Sequence, residues 1–155
     1  MKLAILLLGQ TKDRAIASGI ERYRQRILQY LPLQLIEINT RKISSRNEQN
    51  VIDCEHQLIE RAIDPRSYRI VLDQTGVMLS SVEFSKLLQR LAMTGVKKTS
   101  FVIGGPFGLA TPQKDQADLL LSCSKMTFTH ELIRLLLVEQ IYRSCTIEAG
   151  QKYHK

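Results

Sequence analysis

Short apolar segments alternate with helix-forming segments about five times along this chain, and this alternation limits the possible folds more than any other feature. The candidate strands are Lys2–Leu8, Leu33–Ile38, Arg69–Asp73, Thr99–Ile103 and Lys125–Phe128. The candidate helices run from Asp13 to Leu31, from Val51 to before Pro65, from Ser80 to Gly95, from Thr111-Pro112 onward, and from Glu131 to about Cys145. This pattern predicts an α/β fold: a single domain over residues 1–155, with a mostly parallel sheet flanked by helices.

Three loops of the predicted sheet are expected to meet at one edge. They follow Asp73, follow Ile103, and lie around Cys123–Phe128. In open parallel sheets, ligands bind in the crevice outside the carboxyl ends of the strands. We therefore expect the functional site at that edge.

The sequence gives no indication of export, membrane insertion or metal binding. The opening MKLAILLLGQTKD has a short apolar run and no small-residue cleavage site, which favours a buried first strand over a signal peptide. No segment reaches the roughly 18 apolar residues that read as a membrane-spanning helix. Cys54, Cys123 and Cys145 are odd in number and have no histidine at ligand spacing. We therefore expect no disulfide, no metal and a reducing cytoplasm.

The positive charge of the chain is concentrated in its first third. The net charge is +7, and the segment from Lys12 to Arg46 contains eight basic residues against three acidic ones. A polyanion such as nucleic acid is one partner that this charge fits. A solvated basic helix face is the structural alternative, and charge alone does not separate the two.

The stretch FVIGGPFGLATPQ, residues 101–113, places three glycines directly after a candidate strand. Gly104, Gly105 and Gly108 match neither the GxGxxG dinucleotide pattern nor a phosphate-binding P-loop. They provide bare backbone that can adopt positive φ at the carboxyl end of a strand. A plain tight turn is the alternative explanation, because these are good turn residues.

The final candidate helix, HELIRLLLVEQIYRS, is apolar around most of its circumference. Such a helix is either buried within the domain or covered on a second face by another subunit. His130 and Arg134 lie on one side of it, four residues apart. Their structural alternative is polarity at a helix start with an Arg134–Glu131 pair, and Glu139–Arg143 is a second candidate pair.

Three segments together resemble the RlmH family of SPOUT methyltransferases: IGGPFGL, the later THELIRLLLVEQIYR and the terminal YHK. The resemblance extends over the whole chain, including MKLAILLLGQTK, LIEI and RIVLD. It implies a C-terminal trefoil knot in the α/β fold and a homodimer with the active site at the subunit interface. It also implies N3-methylation of a pseudouridine in 23S rRNA, in a hairpin near the decoding region of the assembled ribosome. The methyl donor would be S-adenosylmethionine (SAM).

The resemblance also implies which residues hold the cofactor. Those expected to form its pocket are Leu72, Gly104, Gly105, Cys123, Ser124, Lys125, Met126, Thr127 and Phe128. The chain departs from the family pattern at Phe107, where glutamate is usual, and at Thr129, where proline usually precedes the histidine. Phe107 removes a carboxylate from the pocket rim. Cys123 and Lys125 replace small apolar residues, so we expect them to contact cofactor chiefly through their backbone.

Methylation of N3 needs no metal, but the imide proton must leave. His154 in the tail and His130 at the helix start are the candidate bases, because histidine transfers protons near neutral pH. Tyr153 is expected to reach the site together with His154, across the dimer, while Arg134 and Arg143 hold phosphate or the anionic base. A frayed terminus is the structural alternative for the tail.

Two other functions are compatible with the sequence. One is a SPOUT methyltransferase acting on tRNA or on another rRNA position. The other is a non-catalytic RNA-binding or ribosome-binding α/β module that kept the fold without turnover. Binding of SAM separates the second from an enzyme, and the choice of RNA substrate separates the first.

Overall fold

The computed structural model of the protein describes residues 1–153. Within these residues the strands are Lys2–Leu8 (β1), Leu33–Ile38 (β2), Tyr68–Met78 (β3), Lys98–Ile103 (β4) and Leu119–Ser122 (β5). The helices are Arg14–Ile27 (α1), Glu48–Ala62 (α2), Ser81–Met93 (α3), Thr111–Asp115 (α4) and Leu132–Glu148 (α5). None of the helices in this described part is long and apolar enough to cross a membrane.

The strands form one sheet in the order β2-β1-β4-β3-β5, and every neighbouring pair is parallel. This confirms the predicted α/β class and the parallel sheet. Six of the seven residues of β1 are buried, because β1 has a strand on each side and helices over both faces. A parallel strand covered in this way is a continuous apolar run, which explains the segment LAILLL.

Side chains of β1 alternate between two hydrophobic cores. Leu3, Ile5 and Leu7 face the larger core, where α1, α3 and α5 pack on the sheet. Leu6 and Leu8 face a smaller core, which is covered by Ile59 of α2 and by Ile63 just after the helix ends. The three larger-core helices are in mutual contact through α5, which packs against both α1 and α3. The apolar circumference of α5 is therefore explained in large part by burial within the chain.

Two predicted helix ends are confirmed. Ser80 caps α3, and the reciprocal capping box with Glu83 is present. Gly95 follows the helix with a φ of +85°. Asp13, expected as the first residue of α1, is its N-cap instead and accepts hydrogen bonds from the backbone N–H groups of Ala15 and Ile16.

The predicted strand at Lys125–Phe128 is wrong. The last strand lies earlier, at Leu119–Ser122, and Lys125–Phe128 is irregular backbone. Leu119–Ser122 forms the strand because this segment pairs with β3 at the edge of the sheet. Segment 123–128 therefore follows the last strand as a loop.

β3 is longer than the sequence indicated and continues to Met78 after an irregularity. Its pairing with β5 shifts register between Leu72 and Val77. Gly76 lies in the shifted part, and a Cβ there would come within 2.7 Å of the backbone of Leu120 and Leu121. Only glycine allows this close approach of β3 to β5.

The α4 and α5 boundaries also differ from the prediction. Ala110, not Thr111, is the N-cap of α4, and Pro112 lies within its first turn. α5 begins at Leu132 and continues to Glu148, past the predicted end at Cys145. The N-cap of α5 is Glu131, and the Thr129 hydroxyl supports this helix start by accepting a hydrogen bond from the Leu132 N–H.

Candidate active site

The irregular part of β3 after Leu72 and the loops after β4 and β5 meet at the carboxyl edge of the sheet. The loop predicted after Asp73 is part of β3 instead, because β3 continues to Met78. Together with the start of α5, the three segments enclose an open cavity of about 670 Å³. The order in which strands are added across the sheet reverses here. The β3-to-β4 connection moves toward β1, whereas the β4-to-β5 connection passes back across β3. Such a reversal is where doubly wound sheets hold their ligands.

Eight of the nine residues expected to hold a cofactor line this cavity. They are Leu72, Gly104, Gly105, Cys123, Ser124, Met126, Thr127 and Phe128. Lys125 is not among the lining residues. Sequence reasoning did not assign a binding role to Asp73, Gln74 or Lys114, which also face the cavity.

The glycine loop, Gly104–Gly108, folds tightly on itself beside the cavity. The Gly108 N–H donates to the Gly105 carbonyl over 3.1 Å, and Gly108 has a φ of +87°. A Cβ on Gly104 would lie 3.0 Å from the Gly108 carbonyl group. The loop therefore requires glycine at positions 104 and 108 for its own conformation.

Glycine is required at position 105 for a different reason, which is the close approach of the Glu55 side chain. This glutamate belongs to α2, is only 6% exposed, and its two carboxylate oxygens lie 2.6 Å from where a Gly105 Cβ would be. Its Oε2 atom is buried and has no hydrogen-bond partner. Burial accordingly raises the pKa of Glu55. In the sequence, the feature that could have identified Glu55 is the presence of a carboxylate among the apolar residues along one side of α2.

Segment 123–128 forms the opposite wall of the cavity and is mostly exposed. The Ser122 hydroxyl donates to the Ser124 carbonyl, and the Met126 N–H donates to the Ser124 hydroxyl. Met126 and Phe128 are 75% and 39% exposed. Phe107, across the cavity on the glycine loop, is 46% exposed. The mouth of the cavity is thus bordered by apolar side chains that water still reaches.

An ion pair joins two walls of the cavity. Lys114 of α4 approaches Asp73 of β3 with 2.6 Å between Nζ and Oδ2. The other carboxylate oxygen of Asp73 accepts from the Thr75 N–H and hydroxyl. Burial opposes ionisation of Asp73, but the hydrogen bonds from Lys114 and Thr75 outweigh it and lower the pKa. Asp73 is therefore a fixed carboxylate at neutral pH.

His130 lines the cavity, as its candidate role as a base requires. Partial burial lowers the pKa of His130, and the nearby positive charge of Arg134 lowers it further. The imidazole is therefore neutral at pH 7 and able to accept a proton. Glu131, the next residue, accepts hydrogen bonds from the backbone N–H groups of Lys12 and Asp13, which ties this helix start to the loop before α1.

Arg134 lies one turn beyond His130 and is 1% exposed. Its guanidinium donates to the Leu8 carbonyl over 2.6 Å, to the Gly9 carbonyl over 3.1 Å, and to the Thr11 hydroxyl over 3.0 Å. Arg134 thus holds α5 against the end of β1. The Arg134–Glu131 ion pair weighed from the sequence is absent from the described residues, because Glu131 pairs with backbone N–H groups instead.

Arg143 and Tyr153 lie together far from the cavity of their own chain. The predicted Arg143–Glu139 pair is confirmed at 2.6 Å, and Arg143 stacks over the Tyr153 ring at 4.9 Å. The Tyr153 hydroxyl lies 3.1 Å from Glu139 Oε1 and 3.3 Å from the Tyr23 hydroxyl. Because a helix rises about 1.5 Å per residue, Arg143 is roughly 15 Å along α5 from the cavity residue Ile133. His154 lies outside the described residues.

No group of three or more histidine, cysteine, aspartate or glutamate side chains in residues 1–153 is placed to hold a metal ion. Cys54, Cys123 and Cys145 are all unpaired thiols.

Comparisons with known proteins give the chain its family. A family model described as a predicted SPOUT methyltransferase matches residues 1–154. Ribosomal RNA large subunit methyltransferase H of Moorella thermoacetica is 38% identical over 159 residues, which cover 100% of this chain and 99% of the relative. The protein of the same name from Desulfotalea psychrophila is 40% identical over 158 residues, with 100% of both chains covered.

Two solved structures share the fold. A probable methylase family protein from Haemophilus influenzae Rd KW20 has a TM-score of 0.57 at 10% identity, with 97% of this chain and 67% of that chain covered. The tRNA (m1G37) methyltransferase from Aquifex aeolicus has a TM-score of 0.52 at 12% identity, with 92% and 70% covered. At these identities the likeness concerns the fold alone. With its family model matched from residue 1 to 154 and its full length covered by relatives at 38–40% identity, this chain belongs to the RlmH family of SPOUT methyltransferases.

Proposed function

We propose that this protein methylates ribosomal RNA of the large subunit with SAM as the methyl donor. The observation that carries the proposal is full-length similarity, at 38–40% identity, to proteins named ribosomal RNA large subunit methyltransferase H. The carboxyl-edge cavity supports it, because it lies where doubly wound sheets bind ligands and has a size typical of small-molecule sites.

The residues of the cavity fit SAM. Bare backbone at Gly104 and Gly108 and the backbone of segment 123–128 supply N–H and C=O groups for an adenine and a ribose. Apolar side chains at Leu72, Leu109 and Ile133 suit the adenine ring. When bound, SAM would supply an activated methyl group on a sulfonium, and the chain itself would supply positioning and proton transfer.

His130 is the proton acceptor that the described residues offer. It faces the cavity, and its lowered pKa keeps it neutral at pH 7. Arg134 would act as a positioning residue, because it anchors the α5 turn next to His130 to β1. Alignment of nucleophile and methyl group can lower a barrier by about 7–11 kcal/mol in favourable cases, so rigid support for this turn is central to the mechanism.

The finer assignment is N3 of a pseudouridine in 23S rRNA on the assembled ribosome, by a cytoplasmic homodimer with a C-terminal trefoil knot. Two observations support a second subunit. Exposed apolar side chains surround the cavity mouth, at Phe107, Met126 and Phe128 and at the nearby end of β3. Arg143 and Tyr153 are also distant from their own cavity, so they would join a site only across a dimer, together with His154.

The decisive experiment is methylation with radiolabelled SAM on intact ribosomes, free 23S rRNA and tRNA, followed by mass-spectrometric mapping of the product. We expect label on intact ribosomes at one pseudouridine. Label on tRNA or at another rRNA position would favour a different SPOUT methyltransferase. Absence of label together with absence of SAM binding at millimolar concentration would favour the non-catalytic ribosome-binding module.

A further inference from the structure

The cavity is almost free of charge. Among the described residues that line it, only Asp73 and Lys114 carry a full charge at neutral pH, because His130 is neutral and the remaining lining side chains are uncharged. These two residues come from different walls and form one ion pair, with Lys114 Nζ 2.6 Å from Asp73 Oδ2. A positive and a negative group therefore stand side by side in an otherwise neutral site.

The pair keeps hydrogen-bonding capacity that it does not use internally. The Lys114 ammonium has three donors, of which one is directed to Asp73. The Asp73 carboxylate accepts about four hydrogen bonds, and three are occupied by Lys114 and Thr75. The side chain of Asp73 is 10% exposed and that of Lys114 is 33% exposed. Asp73 is thus held rigidly, while Lys114 has room to turn toward a ligand.

An adjacent positive and negative group is the complement of an amino acid zwitterion. A ligand ammonium would lie next to the carboxylate, and a ligand carboxylate next to the ammonium, so that charges alternate around a four-membered cluster. Phe107 stands where the family resemblance leads us to expect glutamate, so the glycine loop itself offers no carboxylate for this purpose. Asp73 is the carboxylate that the described lining retains.

We propose that Asp73 and Lys114 bind the methionyl end of the cofactor, with Asp73 accepting from its α-ammonium and Lys114 donating to its α-carboxylate. The inference rests on the proposed function, because it presumes SAM as the ligand. Its competitor is a purely structural brace, in which the ion pair does no more than fasten α4 to β3.

Three neutral-sulfur ligands separate the two roles by calorimetry. S-adenosylhomocysteine (SAH) carries the whole zwitterion, S-adenosyl-3-thiopropylamine lacks only its carboxylate, and methylthioadenosine lacks both charged groups. Each ligand is titrated into the full-length protein and into the Lys114→Met and Asp73→Asn variants. Lys114→Arg serves as the conservative control, and thermal unfolding verifies that every variant is folded.

We expect Lys114→Met to weaken SAH roughly ten- to a hundredfold and to leave the other two ligands within about twofold. Asp73→Asn should weaken SAH and the thiopropylamine by a similar factor and leave methylthioadenosine unaffected. Lys114→Arg should retain most of the SAH affinity. Because the Lys114 side chain is one-third exposed on a short helix, we expect Lys114→Met to fold. The Lys114→Met variant therefore tests the inference even if Asp73→Asn fails to fold.

Two outcomes would overturn the inference while leaving the proposed function intact. Equal weakening of all three ligands would indicate that the ion pair has only a structural role, or that Asp73 binds the ribose, which all three ligands contain. Unchanged discrimination in both variants would place the zwitterion elsewhere. Failure of the unaltered protein to bind SAH at all would instead overturn the cofactor assignment, and this inference with it.

Discussion

The carboxyl and amino edges of the sheet each carry an open cavity, of about 670 and about 970 Å³. At the amino edge, charged groups satisfy one another: Arg69 pairs with Glu60 at 2.8 Å, and Lys98 approaches Asp64 at 3.7 Å. At the carboxyl edge, glycine backbone and uncharged side chains dominate, and the buried Glu55 has an unpaired oxygen.

The two cavities differ in their chemistry, and we expect that chemistry, more than cavity size, to decide which of them binds a ligand. In the larger cavity the buried Arg69 is committed to an ion pair within the fold, whereas the smaller cavity leaves backbone and side-chain groups available to a ligand. Stability and function are therefore expected to separate between the edges. Substitutions at the amino edge should lower the free energy of unfolding, and substitutions at the carboxyl edge should lower binding or turnover.

The largest effect is expected at His130. His130→Gln keeps a polar side chain of similar size but removes the proton acceptor, so methyl transfer to ribosomes should fall about 10²- to 10⁴-fold. SAH affinity measured by calorimetry should change less than threefold. His56→Gln is the matched control, because His56 lies outside the cavity and bonds to Gln113. Equal turnover by the two variants would remove His130 from the proton transfer.

At the amino edge, Arg69→Met should cost about 3 kcal/mol in the free energy of unfolding, measured in denaturant. Its guanidinium is largely buried against Glu60 and Gln116, and the loss leaves a carboxylate without its partner; the part exposure of Glu60 keeps the cost at the low end for such pairs. SAH affinity of the folded variant should be unchanged. Arg66→Met, whose side chain is 93% exposed, should shift stability by no more than about 0.5 kcal/mol.

Gly105→Ala tests the contact beneath the glycine loop. The new Cβ meets the Glu55 carboxylate at 2.6 Å, so we expect a stability loss of about 1–3 kcal/mol and SAH binding weakened about tenfold. Adding Glu55→Ala should restore much of both, because it removes the clash. Gly95→Ala at the amino edge should cost stability through its φ of +85° and leave SAH binding unaffected. Equal SAH affinities in Gly105→Ala and Gly95→Ala would contradict the coupling of this loop to the cavity.

The smallest effect concerns the pH dependence of stability. Burial raises the pKa of Glu55, so the folded state disfavours the ionised carboxyl. Below the unfolded pKa of about 4.5 the group is protonated in both states and costs nothing. Stability is lost as pH rises from there through the folded pKa, and the full penalty is present above it. Glu55→Gln should therefore gain stability at pH 8 and not at pH 4, as measured by thermal unfolding; a gain that does not vary with pH would contradict this.

Local features of the fold could be predicted from the sequence, whereas long-range pairings could not. The buried strand β1, the Ser80–Glu83 capping box and the convergence of three chain segments at the carboxyl edge follow from periodicity and from the rules for parallel sheets, although one of these segments is strand and not loop. The last strand was misplaced because the apolar run LLLS and the alternating segment KMTF are both compatible with a short strand, and pairing with β3 decides between them.

The site was predicted less completely than the fold. The family resemblance identified eight of the 21 residues that line the cavity as cofactor contacts. Glu55 beneath Gly105 and the Asp73–Lys114 pair join residues far apart in the chain. No local sequence pattern predicts these contacts, because they form only when α2 and α4 pack onto the sheet. The burial of Arg134 could not be predicted from the sequence either, because an arginine four residues after a histidine at a helix start is typical of an exposed polar face.

The most direct test of cofactor binding at the carboxyl edge is a crystal structure of the protein grown with saturating SAH. We expect density for the ligand at the carboxyl edge, between Gly104–Gly108 and segment 123–128, with its amino acid end near Asp73 and Lys114. Ligand at the amino edge, or an empty carboxyl edge despite saturation, would contradict this expectation.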